Sequence, residues 1–172
     1  EFFNSIAEFP CDKLFLRDFH QAWYHKGVDD EIRHVEQVRQ YLQGIIARNR
    51  YDKVCFLGNS MGGYAAILFG TLLNVDHVLA FSPQSILTKW HRFVIGDRRW
   101  RPQSKKLHAL REKRAELLDL KKHLNSTHPY QTKIEIFYSP NHTLDKIHAE
   151  RLKRRNHVVL RPVQEGGHGV VK

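Results

Sequence analysis

The sequence predicts an α/β chain built on a doubly wound, mostly parallel sheet. Two observations carry that prediction. Short apolar runs alternate with segments of helical periodicity along most of the chain. One of those runs, residues 53–57 (KVCFL), leads directly into the glycine-rich turn Gly58-Asn59-Ser60-Met61-Gly62-Gly63 and then into a small apolar helix.

The elements follow in order. Residues 1–9 read as a helix with Phe2, Phe3, Ile6 and Phe9 on one side. Residues 13–17 (KLFLR) read as a short strand after a turn at Pro10. Residues 30–49 carry Ile32, Val35, Val38, Leu42, Ile45 and Ile46 at three- and four-residue steps, the apolar stripe of a helix. The run 53–57 is nearly all apolar, as a strand covered on both faces should be. A helix over 61–73 and a strand over 77–81 (HVLAF) come next. After an insert come a strand over 134–138 (IEIFY), a helix over 145–155 and a last strand over 157–160 (HVVL). That makes about five strands in one domain, 1–172, with residues 84–130 forming a helical cap insert. Within the insert, 104–124 reads as one helix with Leu107, Leu110, Leu117, Leu118 and Leu120 on its apolar side and Ser104 as N-cap.

Composition excludes several classes. With 172 residues, 41% hydrophobic and 11% aromatic, the chain has enough apolar mass for a core and is not a disordered tail. No apolar run approaches the roughly 20 residues of a membrane span. Two cysteines, Cys11 and Cys55, make no disulfide framework and point to a reducing, cytoplasmic setting. The first ten residues lack the pattern of a signal peptide, so the formal glycosylation sequons at 125–127 and 141–143 carry no weight. The net charge is +10, and the stretch 84–130 alone holds 12 Lys/Arg against 4 acids. Such a patch raises the local concentration of anions, or it is a solvated helix face. No nucleic-acid-binding signature accompanies it, so no specific nucleic-acid partner is expected.

The turn around Ser60 suits a nucleophile. A serine on a tight strand-to-helix turn is lifted clear of the sheet. Gly58 and Gly62, two before and two after it, are expected to keep neighbouring segments from colliding. The helix N-terminus and the N–H of Met61 then face an oxyanion formed on the serine. With this elbow, G-x-S-M-G-G-Y-A-A, and the strand ending Phe81-Ser82-Pro83-Gln84, the chain resembles the α/β-hydrolase superfamily, and within it uncharacterised bacterial α/β-hydrolase-like proteins. The resemblance runs from about residue 13 to the C-terminus, with the insert where that superfamily carries its cap.

The resemblance implies a Ser, acid, His order along the chain. His168, in Glu165-Gly166-Gly167-His168-Gly169, occupies the place of the base, and Asp145, after the strand 134–138, that of the acid. As the start of a helix, Asp145 is also a charge that the helix dipole favours. In the superfamily a second oxyanion donor comes from a loop two strands before the elbow, and a helix follows the histidine loop. Neither is found in these 172 residues, so the expectation is a truncated chain, with its N-terminal strands absent, or a reduced hydrolase.

Ligands of such sheets sit at the carboxyl ends of the strands. The aromatic loop 18–28 falls there, and Trp23 and Tyr24 are expected to line the pocket or pack beneath it, with His20 and His25 nearby. Asn59 beside the serine, and Arg98 and Trp100 of the insert with Trp90 and Arg99, are candidate substrate contacts. No metal-ligand spacing and no phosphate-binding glycine motif occurs, so neither metal nor cofactor is expected. The reading is a serine hydrolase of esters or thioesters, acting on a small acyl or glycan substrate that the basic insert favours as anionic. The alternatives are an acyltransferase on the same triad, or a binding module of the same fold.

Overall fold

The computed structural model describes residues 2–110, 114–126 and 129–164. The elements, in order, are α1 (Val35–Asn49), β1 (Cys55–Asn59), α2 (Met61–Leu72), β2 (His77–Phe81), α3 (Lys89–Val94), α4 (Arg101–Ala109), a 3-10 turn (Ala115–Leu118), α5 (Leu120–Ser126), β3 (Lys133–Tyr138), α6 (Thr143–Glu150) and β4 (Val158–Pro162). The four strands form one parallel sheet in the order β1-β2-β3-β4. Because all four run the same way, their carboxyl ends share one edge.

Burial alternates along the strands. Val78, Ala80, Ile134 and Ile136 are fully buried on one face. They meet α2, whose Tyr64, Ile67 and Leu68 are also fully buried. Each valine, isoleucine or leucine so buried contributes about 1.5–3 kcal/mol of transfer free energy. The other face carries Leu79, Phe81, Glu135 and Phe137, all only half-buried. There Phe81 stacks on Phe137 at 4.7 Å, and Phe2 covers Phe81 at 5.2 Å. Cys55 is exposed and Phe56 and Leu57 are half-buried, so β1 is not sealed on both faces as its sequence suggested.

Several expected elements differ. The sheet has four strands among the described residues, not five. Residues 13–17 have no regular secondary structure and join no ladder, and Leu14 and Phe15 stay about half exposed. The carbonyl of Leu16 accepts from the Tyr24 hydroxyl (3.0 Å), and Lys13 Nζ donates to the carbonyls of Ala7 and Phe9. An extended apolar run becomes a strand only when a neighbour takes up its backbone groups. Residues 2–9 form turns rather than a helix. Helix α1 begins at Val35 rather than 30, because Asp29 Oδ1 holds the N–H groups of Glu31 and Ile32 in a turn and His34 caps the helix.

The expected helix 104–124 is two helices and a break. Leu110 and Asp119 are extended, and Ser104 lies inside α4, which is capped by Trp100. Two forces split it. The segment 117–120 pairs with 85–87: Leu87 N–H donates to Leu118 O, Leu120 N–H to Ser85 O, and Ile86 bridges Asp119. Asp119 also accepts from the N–H groups of Lys121 and Lys122, a side-chain cap that starts α5. The insert is not set apart from the domain core, since Leu107, Leu117, Leu118, Leu120 and Leu124 belong to the same apolar cluster as the sheet.

Candidate active site

Ser60 sits between β1 and α2 with φ 52° and ψ −110°, a backbone conformation that costs about 1–3 kcal/mol for a residue with a Cβ. Its N–H donates to Phe81 O (2.8 Å), and its C=O accepts from Tyr64 N–H at 3.1 Å. The turn is thus pinned to β2 on one side and to the first turn of α2 on the other. A Cβ on Gly58 would lie 2.1 Å from the carbonyl oxygen of Gly62, so only glycine fits. The second close approach is at Gly63, where a Cβ would meet Pro83 Cβ at 3.1 Å and the carbonyls of Gly58 and Phe81 at 3.2 Å. Gly62 meets nothing within 4 Å. The steric role expected of Gly62 therefore falls to Gly63, because the helix start leans on β1 and β2 one residue later.

The Ser60 hydroxyl is buried and has no hydrogen-bond partner among the described residues. The same holds for Asn59 Oδ1, Ser82 Oγ, Gln84 Nε2 and Ser139 Oγ. These groups follow or end β1, β2 and β3, so the carboxyl edge gathers five polar atoms with no partner among the described residues. Buried polar groups are normally paired, so such a collection marks a place for a polar ligand.

Asp145 is fully buried in the first turn of α6. Its Oδ1 accepts from Arg99 Nη1 at 2.9 Å, and its Oδ2 lies 3.1 Å from His142 Nδ1. Arg99 also binds Asp97 through Nε (3.0 Å) and through its own backbone N–H at 3.0 Å. Asp97 is shared further with Arg92 and with His148. Burial would raise the Asp97 pKa, but hydrogen bonds from His148 and Arg99 and the charges of Arg99 and Arg92 outweigh it, holding the carboxyl well below its ordinary value. Burial lowers the His148 pKa against the pull of Asp97, so the ring is neutral.

A serine-histidine-aspartate chain lies in this network. His148 Nδ1 accepts from Ser85 N–H (3.1 Å), so Nε2 carries the proton and donates to Asp97 Oδ2 at 3.1 Å. Ser85 Oγ is 3.2 Å from the same Nδ1. Ser85 and His148 are 0% exposed and Asp97 5%, so no substrate reaches them. This chain is a buried support for α6 and the insert.

The remaining candidates fall in different places. His168 lies outside the described residues. Met61 is the first residue of α2 and half-buried. Trp23 is 0% exposed, and its indole N–H donates to Gln84 Oε1 at 2.6 Å. Tyr24 is buried with its hydroxyl on Leu16 O. Their loop is fixed by Asp18, which accepts from the N–H groups of His20, Ala22 and Tyr24. His25 is buried and bonded to the Tyr64 hydroxyl at 2.9 Å, which occupies it within the core. Arg98, Trp90 and Trp100 are exposed. The sequence reading passed over Gln84, Ser139, Asp97 and His148. Two signals could have found the last pair: His148 lies one helical step beyond Asp145, and Asp97 is the lone acid among seven cations between residues 89 and 106.

No protein-family model matches this chain, and no curated protein matches it. Solved structures do. The capsule O-acetyltransferase of Neisseria meningitidis serogroup A is similar with a TM-score of 0.61 at 17% identity, over 86% of this chain and 61% of that one. A histidine mutant of that enzyme, in complex with CoA, gives 0.55 at 16% identity. MGS-MChE2, an α/β-hydrolase enzyme from the metagenome of lagoon sediments at Mar Chica, Morocco, gives 0.52 at 22% identity, over 77% of this chain and 60% of that one. This chain thus spans about three fifths of the length of the structures it matches. At these identities the likeness is one of architecture: the chain shares its α/β fold with α/β-hydrolase enzymes and a capsule O-acetyltransferase.

Proposed function

We propose that the chain carries a serine acyl-transfer centre, with water or an alcohol as the acyl acceptor. The observation that carries this reading is Ser60 itself: a strained, positive-φ serine at the start of α2 whose buried hydroxyl has no partner among the described residues. Strain of this kind persists where the surrounding structure imposes it, and it concentrates at reactive sites.

In this reading His168 takes the Ser60 hydroxyl proton as Oγ attacks the acyl carbon of an ester or thioester. The tetrahedral oxyanion faces the Met61 N–H and the N-terminus of α2. The leaving alcohol or thiol departs with the proton from His168, and an acyl-Ser60 ester remains. Water or a substrate hydroxyl, deprotonated by the same histidine, then releases the acyl group. Asp145 orients His168. Asn59, with its unpartnered Oδ1, and the exposed Arg98 and Trp100 contact the substrate; Trp23 and Tyr24 support the floor, Trp23 through Gln84. The CoA complex of the O-acetyltransferase mutant supports a thioester as donor. The basic insert supports an anionic acceptor.

The test is covalent capture. A fluorophosphonate probe, and separately acetyl-CoA, should label the protein at Ser60, and Ser60→Ala should abolish both while remaining folded. A folded parent that takes up neither reagent overturns the proposal. Acetyl-enzyme that turns over faster with an added sugar alcohol than with water assigns transfer over hydrolysis.

A further inference from the structure

A cleft of about 450 Å³ lies between α5 and the turn that follows α6. Its lining is Lys121, Glu150, Arg151, Lys153, Arg154 and Arg155, five cations and one acid. Helix α6 starts beside Asp145 at the carboxyl edge of the sheet, and the residues after it lead into the first residue of β4. The cleft is therefore at the opposite end of α6 from Ser60, and it is separate from the candidate active site.

Two of the three arginines, Arg151 and Arg155, are held in place. Asp119, itself buried, accepts from Arg151 Nη1 and Nη2 at 2.7 Å each, a two-pronged pair that fixes the guanidinium at the cleft wall. Arg155 donates Nη1 to the side-chain oxygen of Asn125, and its Nε–H has no acceptor among the described residues. Asn125 is neutral, so the arrangement orders Arg155 without compensating its charge. Lys121, Lys153 and Arg154 have no ion-pair partner among the described residues, and Lys153 and Arg154 are exposed. Ordered guanidiniums beside exposed lysines suit phosphate recognition, because the open Nε–H of Arg155 and the fork of Arg154 can meet tetrahedral oxygens while the lysines add charge. With Arg151 balanced by Asp119, four cations face Glu150, and a single carboxylate anion would still leave two of them unbalanced. A ligand with several negative charges in a short span would not.

We propose that this cleft is an anion-binding site for clustered phosphate, either a compact oligophosphate group or a stretch of a phosphate-bearing polymer. It does not depend on the chemistry at Ser60.

Calorimetric titration of the full chain with tripolyphosphate tests it, at low and at high salt. The expected result is one-to-one binding that weakens with salt. The double variant Lys153→Glu/Arg154→Glu should weaken it on the order of tenfold or more, the worth of a charge-assisted contact. Lys105→Glu/Lys106→Glu, which changes net charge equally on the exposed side of α4, should bind as the parent does. If the charge-reversed variant fails to fold, the neutral variant Lys153→Gln/Arg154→Gln serves in its place. Titration with long-chain polyphosphate separates the sources: several protein copies per chain at undiminished affinity assigns a polymer, and weaker binding than tripolyphosphate assigns a compact ligand. Absence of tripolyphosphate binding by the parent, or an equal loss in the α4 variant, overturns the proposal.

Discussion

The backbone around Ser60 is specified by which atoms fail to fit. At Gly58 a single methyl would overlap the carbonyl of Gly62, while at Gly62 a methyl enters open space. Gly58→Ala should therefore destabilise the fold by about 3 kcal/mol or more, since a backbone clash cannot be relieved by a rotamer change. Gly62→Ala should be neutral or stabilising by up to about 1 kcal/mol, because it adds helix propensity at the start of α2. Urea denaturation of the two variants measures both, and equal losses would contradict the geometry. The sequence assigns the same steric role to both motif glycines, and only Gly58 fills it. The spacing G-x-S-x-G gives both the same standing, and the contacts that move the second role to Gly63 involve Phe81 and Pro83, about twenty residues further along.

Among the elements, the insert departs furthest from its sequence pattern. Its leucines recur as one helical stripe, yet Asp119 breaks the run by capping α5, bridging Ile86 and binding Arg151 at once. Asp119→Ala should cost about 3 kcal/mol, from the loss of a cap and from a partly buried Arg151 left without its carboxylate. The same urea measurement decides it, with Lys121→Ala on the exposed side of α5 as the comparison expected to stay within about 0.5 kcal/mol. Segments whose pattern agreed with their packing were legible: β2 falls on the residues expected, and β3, β4 and α2 shift by at most two at either end. Residues 13–17 were not, because whether an apolar extended run joins a sheet depends on a neighbour's edge.

For the molecule as a whole, buried histidines set the response to acid. Burial holds His25 and His123 near a pKa of about 4, against an ordinary 6.5. Folded values below the unfolded one mean that the unfolded chain takes up protons first as pH falls. Stability should be flat above about pH 6.5 and decline down to about pH 4, where the histidine contribution ends. Asp97, held below its ordinary 3.8, adds its own loss at still lower pH, since its paired carboxylate stabilises only while ionised. Denaturation midpoints across this window measure the effect; a constant midpoint would mean that these rings protonate without unfolding. Charge also acts at this scale. The excess of cations in 84–130 reads from sequence as one basic insert, but in the structure Arg92 and Arg99 are used up on Asp97 and Asp145. Lys121 instead joins Arg151, Lys153, Arg154 and Arg155 across the surface.

The order of strands and helices, the parallel sheet and the serine turn were determined by the sequence itself, because they rest on local periodicity and on residues adjacent in the chain. The tertiary structure alone decided the rest. It left residues 13–17 out of the sheet, split the insert helix, sealed Ser85, His148 and Asp97 away from solvent, and brought cations thirty residues apart into one cleft. Each of these depends on partners distant in sequence, whose backbone edges and charges no local pattern records.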